Sequence, residues 1–322
     1  MENISKLIGD DLQRLEESID KLLTTRVSFI REVVHHIIKS GGKRIRPILV
    51  ILSAKMCDCA DYRHIAYAAI VEFIHTATLL HDDVVDNART RRGALTANTL
   101  WGNEPSVLVG DFLFSKSFDL MVADQNTEVL AVMSRVTTAL AEGEIMELLK
   151  TSDVETTEDD YYEIIANKTA VLLSAACEVG AILGGVDRDK RDALNKFGYH
   201  FGMAFQLTDD VLDYVSKGTT LGKDAGSDLK EGKITLPLIH ALKSATPDER
   251  KVVVDSISKP RMTQKDYRKV RNIIKRRGGI EYAVQASKGH AEQAISFLNV
   301  FPTSPYRDAL AGLADYVTKR ET

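Results

Sequence analysis

The stretch VLAVMSRVTTALAEGEIM, residues 129–146, repeats small and apolar side chains at alternating steps of three and four residues. That spacing is typical of one buried stripe on an α-helix. No proline occurs between Pro105 and Pro237, so long helices can run through this region without interruption. Strand-like alternation bounded by hairpin turns is hard to find in the rest of the chain. The sequence therefore predicts an all-α fold.

Helix boundaries are also marked in the sequence. Thr246 followed by Pro247 has the form of an N-cap with a first-turn proline. The acidic stretch 153–160 is expected to form a solvated loop, with Thr157 or its neighbour starting the next helix. Because no repeat and no Gly/Ser linker marks a domain boundary, we expect one domain over residues 1–322, with residues 1 to about 25 as a peripheral helix.

Composition and charge indicate an ordinary globular chain. The 322 residues are 44% apolar and 27% charged with a net charge of -4, which provides no basic field for nucleic acid. Three cysteines, an odd number in a long chain, favour a reducing compartment, and we expect a cytoplasmic protein. The N-terminus lacks a signal-peptide pattern, and no apolar run reaches the roughly 18 residues of a membrane span. We therefore expect no transmembrane segment.

Two segments carry the pattern Asp-Asp-x-x-Asp, LLHDDVVDNARTRRG at residues 79–93 and FQLTDDVLDY at residues 205–214. Each helix would present three carboxylates within one turn, and these are Asp82, Asp83 and Asp86 in the first motif and Asp209, Asp210 and Asp213 in the second. Like charges so close destabilise a helix unless a cation is present. Hard oxygen ligands suit Mg²⁺ better than zinc. The alternative is two solvated charged faces, and the shared spacing and apolar flanks favour the metal.

Basic residues accompany the acidic motifs. The glycine-rich segment GGKRIRP, residues 41–47, places Lys43 and Arg46 three positions apart at the entry to a helix, an arrangement suited to a phosphate group. Further cations near the motifs are Arg91, Arg92, Lys168, Lys223 and Lys233. Each of these taken singly is typical of an ordinary surface cation. Taken together, they predict a site for an anion that shares the bound metal ions.

These segments resemble the trans-isoprenyl diphosphate synthases, also called polyprenyl synthetases, from about Ile30 onward. The matching motifs, in the order of the family, are GGKRIRP, HDDVVDNARTRRG, NKTAVLL, FQLTDDVLD and LGKDAGSDLKEGKITLP. The resemblance implies the isoprenoid synthase fold, a single-domain helical bundle around a deep central cavity, and a homodimer. It also implies that isopentenyl diphosphate is condensed with an allylic diphosphate, for which farnesyl diphosphate is our expected starter, by ionisation, condensation and elimination.

The resemblance further implies roles for individual residues. The six aspartates would bind Mg²⁺, three ions per site, and through it the allylic diphosphate. The residues expected to contact or orient the same substrate are Arg91, Lys168, Thr169, Gln206, Lys223 and Lys233. Isopentenyl diphosphate would be held without metal by Lys43, Arg46, His75 and Arg92, although a core histidine is the alternative for His75.

The growing product tail is expected to run along the helix that ends near Asp82. Side chains one to three turns earlier would line its tunnel, and these are Thr78, Ala77, Ile74 and Val71. Members of the family with short products commonly carry bulky aromatics at the positions of Ala77 and Thr78, so the resemblance implies a long all-trans product. Octaprenyl diphosphate is the best match, and heptaprenyl, nonaprenyl and decaprenyl products stay open. Such products serve as quinone side chains. Met146 and Leu149 are candidate floor residues, with core filling as the alternative for Met146.

Two other functions remain open from the sequence. A terpene cyclase ionises the same class of substrate, but it usually has a mixed Asn/Ser/Glu motif in place of the second cluster and lacks the Lys43 to Arg46 segment. A non-catalytic subunit of a heteromeric prenyl synthase is the second alternative, and two intact aspartate motifs favour a catalyst instead. Arg320 near the C-terminus resembles a basic residue that some relatives direct at isopentenyl diphosphate.

Overall fold

The computed structural model describes residues 2–215, 226–259 and 262–320. Its helices up to residue 165 are α1 Glu2–Leu7, α2 Gly9–Leu22, α3 Ser28–Lys39, α4 Ile45–Met56, α5 Arg63–Val85, α6 Ala97–Trp101, α7 Asn103–Asp124, α8 Thr127–Lys150 and α9 Glu158–Ile165. A π-helical turn, Ala166–Ala170, follows, and then come α10 Val171–Leu183, α11 Arg188–Val215, α12 Ser227–Lys230, α13 Leu236–Lys243, α14 Pro247–Ile257, α15 Gln264–Arg276, α16 Gly279–Phe297, the 3₁₀ turn Leu298–Val300 and α17 Pro305–Thr318. The predicted all-α fold is confirmed.

Two of the predicted helix starts are confirmed by capping boxes. The Thr157 hydroxyl accepts a hydrogen bond from the Asp160 backbone N–H, and the Asp160 carboxylate accepts one from the Thr157 backbone N–H. Thr246 and Glu249 make the same reciprocal pair at the start of α14, with Pro247 in the first turn. Each pair satisfies two backbone donors that the first helical turn leaves without an intrahelical partner.

One compact unit comprises Met1–Thr137, Leu172–Gly198 and Ile295–Leu313. Within it, α5 packs against α2, α4 and α7. Phe73 of α5 and Leu113 of α7 are fully buried. Gly110 lets α7 approach closely, because a Cβ atom there would lie 2.2 Å from Nε2 of His81. This packing fixes the end of α5, where the first aspartate motif lies.

The other compact unit comprises Thr138–Val171, Tyr199–Ala294 and Ala314–Thr322. Its buried cluster includes Tyr161 of α9, Leu207 and Tyr214 of α11, and Ile274 of α15. The second aspartate motif occupies the last turns of α11, whose opposite face contributes to this core. The number of domains stays a prediction.

A short hairpin follows the first aspartate motif and was not expected from the sequence. Thr90–Arg91 forms β1 and Ala94–Leu95 forms β2, and the two strands pair in an antiparallel register. The two residues between them, Arg92 and Gly93, both have positive φ angles, 52° and 81°. Two-residue turns with positive φ match the twist of paired strands. An arginine at the first turn position gives little sequence signal for such a turn, since asparagine, aspartate or glycine usually occupies it.

One helical stretch among the described residues, Glu158–Leu183, is long and apolar enough to cross a membrane by length and composition. However, 78% of its most apolar window is buried inside the protein. Core helices of soluble proteins have the same property. The absence of a transmembrane segment therefore stays a prediction.

Candidate active site

The first aspartate motif ends α5, and its middle carboxylate is already paired. Asp83 is only 3% exposed, and its Oδ1 accepts hydrogen bonds from Nε and Nη2 of Arg91 at 2.9 and 2.8 Å. Asn98 donates its side-chain N–H to the backbone carbonyl of Asp83 at 2.9 Å. Asp82 and Asp86 are half-buried. The hairpin thus brings Arg91 back onto the helix end and neutralises the buried carboxylate.

Four arginines surround His75, which lies two turns before the first motif. Nη1 of Arg46 lies 3.1 Å from Nε2 of His75. Burial lowers the pKa of His75 well below its ordinary value, and the nearby charges of Arg46, Arg92, Arg91 and Arg44 lower it further. A neutral imidazole among guanidinium groups is a site that an anion would stabilise. Arg46 thus contacts His75 directly, and the binding of isopentenyl diphosphate by Arg46, His75 and Arg92 stays a prediction.

The glycine pair before α4 gives one of these arginines room to bind. A Cβ atom on Gly42 would lie 2.6 Å from Nη1 of Arg92, so the guanidinium lies directly against the Gly42 backbone. Lys43, the next residue, is exposed. Arg44 has a different role, because it forms an ion pair with the buried Glu72 at 2.5 Å and anchors the segment to α5. Arg44 thus has a structural role, and anion binding by Lys43 and Arg46 stays a prediction.

The second aspartate motif ends α11 in the other unit, and again its middle carboxylate is buried. Asp210 is 3% exposed. Its two oxygens accept hydrogen bonds from the Tyr161 hydroxyl at 2.6 Å and the Gln206 side-chain amide at 2.7 Å. Burial is the largest cause that raises the pKa of Asp210 well above its usual value, and the Asp228 carboxylate adds to it. This carboxylate is held by neutral donors.

The outer carboxylates of the second motif have separate partners. Oδ1 of Asp209 accepts a hydrogen bond from Nη1 of Arg320 at 2.7 Å, and the Arg320 guanidinium also lies 5.3 Å from the centre of the Phe205 ring. Asp213 accepts hydrogen bonds from the Ser227 hydroxyl and from the backbone N–H groups of Ser227 and Asp228. Asp213 therefore caps α12.

The π-helical turn carries two predicted substrate residues. Lys168 forms ion pairs with Glu144 and Glu147 of α8. The Thr169 hydroxyl donates to Oε1 of Gln206 at 2.8 Å. Because Gln206 in turn donates to Asp210, a hydrogen-bonded chain runs from the π-helical turn to the second motif. Single π-helical turns within helices are frequently found at functional sites.

Sequence reasoning missed Tyr161, Glu144 and Glu147. Each contacts a predicted site residue that is distant in the sequence, so no local pattern indicates the pairing. Lys233, which was predicted, lies 3.9 Å from Glu147 and 3.1 Å from Glu231. Lys223 lies outside the described residues.

The predicted chain-length residues have different environments. Val71, Ile74 and Ala77 are fully buried in α5. Thr78 is half-buried, and its hydroxyl donates to the His75 backbone carbonyl. Their role in a product tunnel stays a prediction.

The two candidate floor residues differ from each other. Met146 is half-buried, and its Sδ lies 3.9 Å from the Asn167 amide nitrogen. Leu149 is 76% exposed, which does not fit a residue at the floor of an internal tunnel. It lies in the last turn of α8, which ends at Lys150.

The carboxylates fit Mg²⁺ in part of the predicted way. All the donors are oxygens, as Mg²⁺ prefers, and a guanidinium cation already lies on one carboxylate of each motif. However, within the described ranges no three His, Cys, Asp or Glu side chains are grouped so that they could hold a metal ion. Asp83 and Asp213 have local partners, and the two carboxylate triads stay a prediction. Mg²⁺ usually completes its coordination with water and phosphate oxygens, so it does not require a protein triad.

Comparisons with known proteins decide the family. The polyprenyl synthetase family model matches residues 27–274. This chain belongs to the polyprenyl synthetase family. It is 39% identical over 321 residues to the octaprenyl diphosphate synthase of Escherichia coli, covering 100% of this chain and 99% of that protein. It is 40% identical over 307 residues to an all-trans-nonaprenyl-diphosphate synthase, geranyl-diphosphate specific, of Rhodobacter capsulatus, covering 95% of this chain and 94% of that protein.

A solved relative supports the same conclusion at the level of structure. The polyprenyl synthase of Caulobacter crescentus CB15, complexed with calcium and isoprenyl diphosphate, is similar with a TM-score of 0.95 and 39% identity. The match covers 100% of this chain and 98% of that one. This polyprenyl synthetase has the all-α isoprenoid synthase fold and is a trans-prenyltransferase.

Proposed function

We propose that the enzyme condenses isopentenyl diphosphate with an allylic diphosphate, preferably farnesyl diphosphate, to give all-trans octaprenyl diphosphate in a Mg²⁺-dependent reaction. The observation that carries the proposal is the arginine cluster around His75. A cyclase needs to hold one diphosphate, whereas a condensing enzyme must hold two. Arg91 of this cluster is paired with Asp83, and Arg46 and Arg92 would hold the second diphosphate without a metal ion.

The remaining residues act on the allylic substrate. Asp82, Asp86 and Asp209 would hold Mg²⁺, with Asp83, Asp210 and Asp213 supporting them, and the bound ions would supply charge that stabilises the departing diphosphate. The same diphosphate would be bound by four cationic residues, Arg91, Lys168, Lys223 and Lys233. Two of them, Lys168 and Lys233, belong to the same compact unit. The Thr169 to Gln206 hydrogen bond orients two polar groups toward the cationic segment of the substrate. We assign the final proton to the released diphosphate and propose no side-chain base.

Relatives of nearly equal identity to this chain are named for octaprenyl and nonaprenyl products. We propose that the tail runs past Ala77, Ile74 and Val71, which are fully buried and not aromatic.

We also propose three ions per site, a homodimer and a cytoplasmic location. Exposed apolar side chains on α7, Leu108 and Val122, favour self-association.

One assay tests the proposal. The purified protein is incubated with farnesyl diphosphate, labelled isopentenyl diphosphate and Mg²⁺, and the dephosphorylated products are separated by chain length. We expect a ladder that ends at the octaprenyl alcohol and disappears with a chelator. A cyclic hydrocarbon would instead indicate a terpene cyclase, and no product would indicate a subunit that requires a partner. In the same assay, Ala77→Phe should shorten the ladder, and an unchanged ladder would reject the tunnel assignment.

A further inference from the structure

Lys168 of the π-helical turn is held between two carboxylates of α8. Its Nζ lies 2.7 Å from Oε2 of Glu144 and 2.5 Å from Oε2 of Glu147. The three side chains are only 21 to 23% exposed. Nζ of Lys233 lies 3.9 Å from the same Glu147 oxygen. Neither glutamate has a role in the proposal above, although both contact its substrate-binding lysines.

The backbones of α8 and of the π-helical turn lie close enough for Lys168 to reach both glutamates. Glu144 and Glu147 are three residues apart, so they project from neighbouring turns on one face of α8. Gly143 lets that face approach the π-helical turn, because a Cβ atom there would lie 2.8 Å from the Lys168 backbone nitrogen. The Asn167 amide nitrogen, 3.9 Å from Sδ of Met146, adds a further contact between the two segments. The position of Lys168 relative to the glutamates is therefore fixed by packing on both sides.

We propose that Glu144 and Glu147 are internal counterions of Lys168 that a diphosphate displaces, and that their charge weakens diphosphate binding so that the product can leave. The inference rests on the proposed function, in which Lys168 binds the allylic diphosphate. With no diphosphate bound, the two carboxylates neutralise and position the ammonium group. When a diphosphate binds, its oxygens replace those carboxylates at the lysine and lie close to two like charges.

The proposal predicts the direction in which diphosphate affinity changes when either glutamate loses its charge. Repulsion between charges a few ångströms apart is substantial when the groups are partly shielded from water. Each glutamate replaced by glutamine should therefore tighten diphosphate binding by about tenfold, equivalent to about 1.4 kcal/mol. If the glutamates served only to position Lys168, the same substitutions would weaken binding. The same substitutions would also weaken diphosphate binding if the glutamates held the metal ion.

The test measures binding of inorganic pyrophosphate with Mg²⁺ by calorimetry to the full-length protein. Glu144→Gln, Glu147→Gln and the double variant should each bind more tightly than the wild type. Glu142→Gln is the matched control, because Glu142 is exposed on the same helix and its replacement removes the same charge. Unchanged or weaker binding in both single variants would overturn the proposal. Thermal unfolding verifies that each variant is folded, and either single variant suffices if the other does not fold.

Two further variants separate charge from geometry and this inference from the proposed function. Glu147→Asp keeps the charge and should bind pyrophosphate as the wild type does, whereas tightening in this variant would overturn the role of charge. Lys168→Gln should weaken binding strongly, and failure to do so would overturn the assignment of Lys168 itself. In steady-state assays, Glu147→Gln should lower the KM for farnesyl diphosphate without raising kcat, because tighter binding also slows product release.

Discussion

The two aspartate motifs have the same spacing and the same position at the end of a long helix, but their buried carboxylates are stabilised in different ways. In the first motif, Asp83 is paired with the charged guanidinium of Arg91. In the second, Asp210 accepts hydrogen bonds from the neutral groups of Tyr161 and Gln206. The same Asp-Asp-x-x-Asp pattern therefore occurs in two different electrostatic environments.

The difference indicates how each motif would respond to a metal ion. A guanidinium cancels one negative charge of the first motif before any ion binds. Neutral donors orient Asp210 without cancelling its charge, and burial raises its pKa well above the usual value. A nearby cation should therefore matter more for the ionised form of Asp210 than for that of Asp83. The ion pair between Asp209 and Arg320 shows that the motif already accepts one.

The largest expected effect comes from the half-buried carboxylates that would bind the ions directly. Asp82→Asn and Asp209→Asn should each reduce kcat/KM on the order of 10³-fold, because the charge that develops on the departing diphosphate loses its stabilisation. Steady-state assays with farnesyl and isopentenyl diphosphates measure the loss. Asp192→Asn, an exposed position on α11, is the control and should remain active. Activity near that of the wild type in either site variant would remove that aspartate from the metal site.

An intermediate effect is expected from the neutral donor that distinguishes the second motif. Tyr161→Phe removes the 2.6 Å hydrogen bond to Asp210. Partners that orient a metal-binding carboxylate typically contribute 10- to 100-fold, so Mn²⁺ affinity measured by electron paramagnetic resonance should fall about tenfold. Tyr162→Phe changes the adjacent residue of α9 and serves as the control. Equal Mn²⁺ affinity in the two variants would mean that Tyr161 only fills the core.

The smallest effect on activity is expected from Asp213. Because this side chain caps α12 through Ser227 and Asp228, Asp213→Asn should mainly lower the free energy of unfolding, by about 1 kcal/mol. Denaturant titration measures that change, and activity should stay within a few-fold of the wild type. A loss of activity as large as that of Asp209→Asn would show that Asp213 binds the metal directly.

Local patterns in the sequence predicted the helices and their starts well. The stripe at residues 129–146 lies within α8, and the capping boxes at Thr157 and Thr246 follow from residue types three positions apart. The acidic motifs and the basic segment 41–47 were found for the same reason, since their chemistry is contained in a few consecutive residues.

Features that depend on distant residues were not predictable in the same way. The π-helical turn packs closely against Gly143, which belongs to a different helix. Tyr161 is 49 residues from Asp210, so no sequence pattern near the motif predicts their hydrogen bond. The exposure of Leu149 shows that a helical stripe of apolar residues does not continue to the end of the helix merely because its spacing does.

We propose that both aspartate motifs act on the same metal–diphosphate complex. The most direct measurement is a double-mutant cycle on Mn²⁺ binding in the presence of inorganic pyrophosphate, with Asp82→Asn, Asp209→Asn and the double variant. We predict that the losses of affinity are strongly non-additive, so that the double variant binds little more weakly than either single variant. Fully additive losses would show that the motifs bind ions independently and would contradict the account.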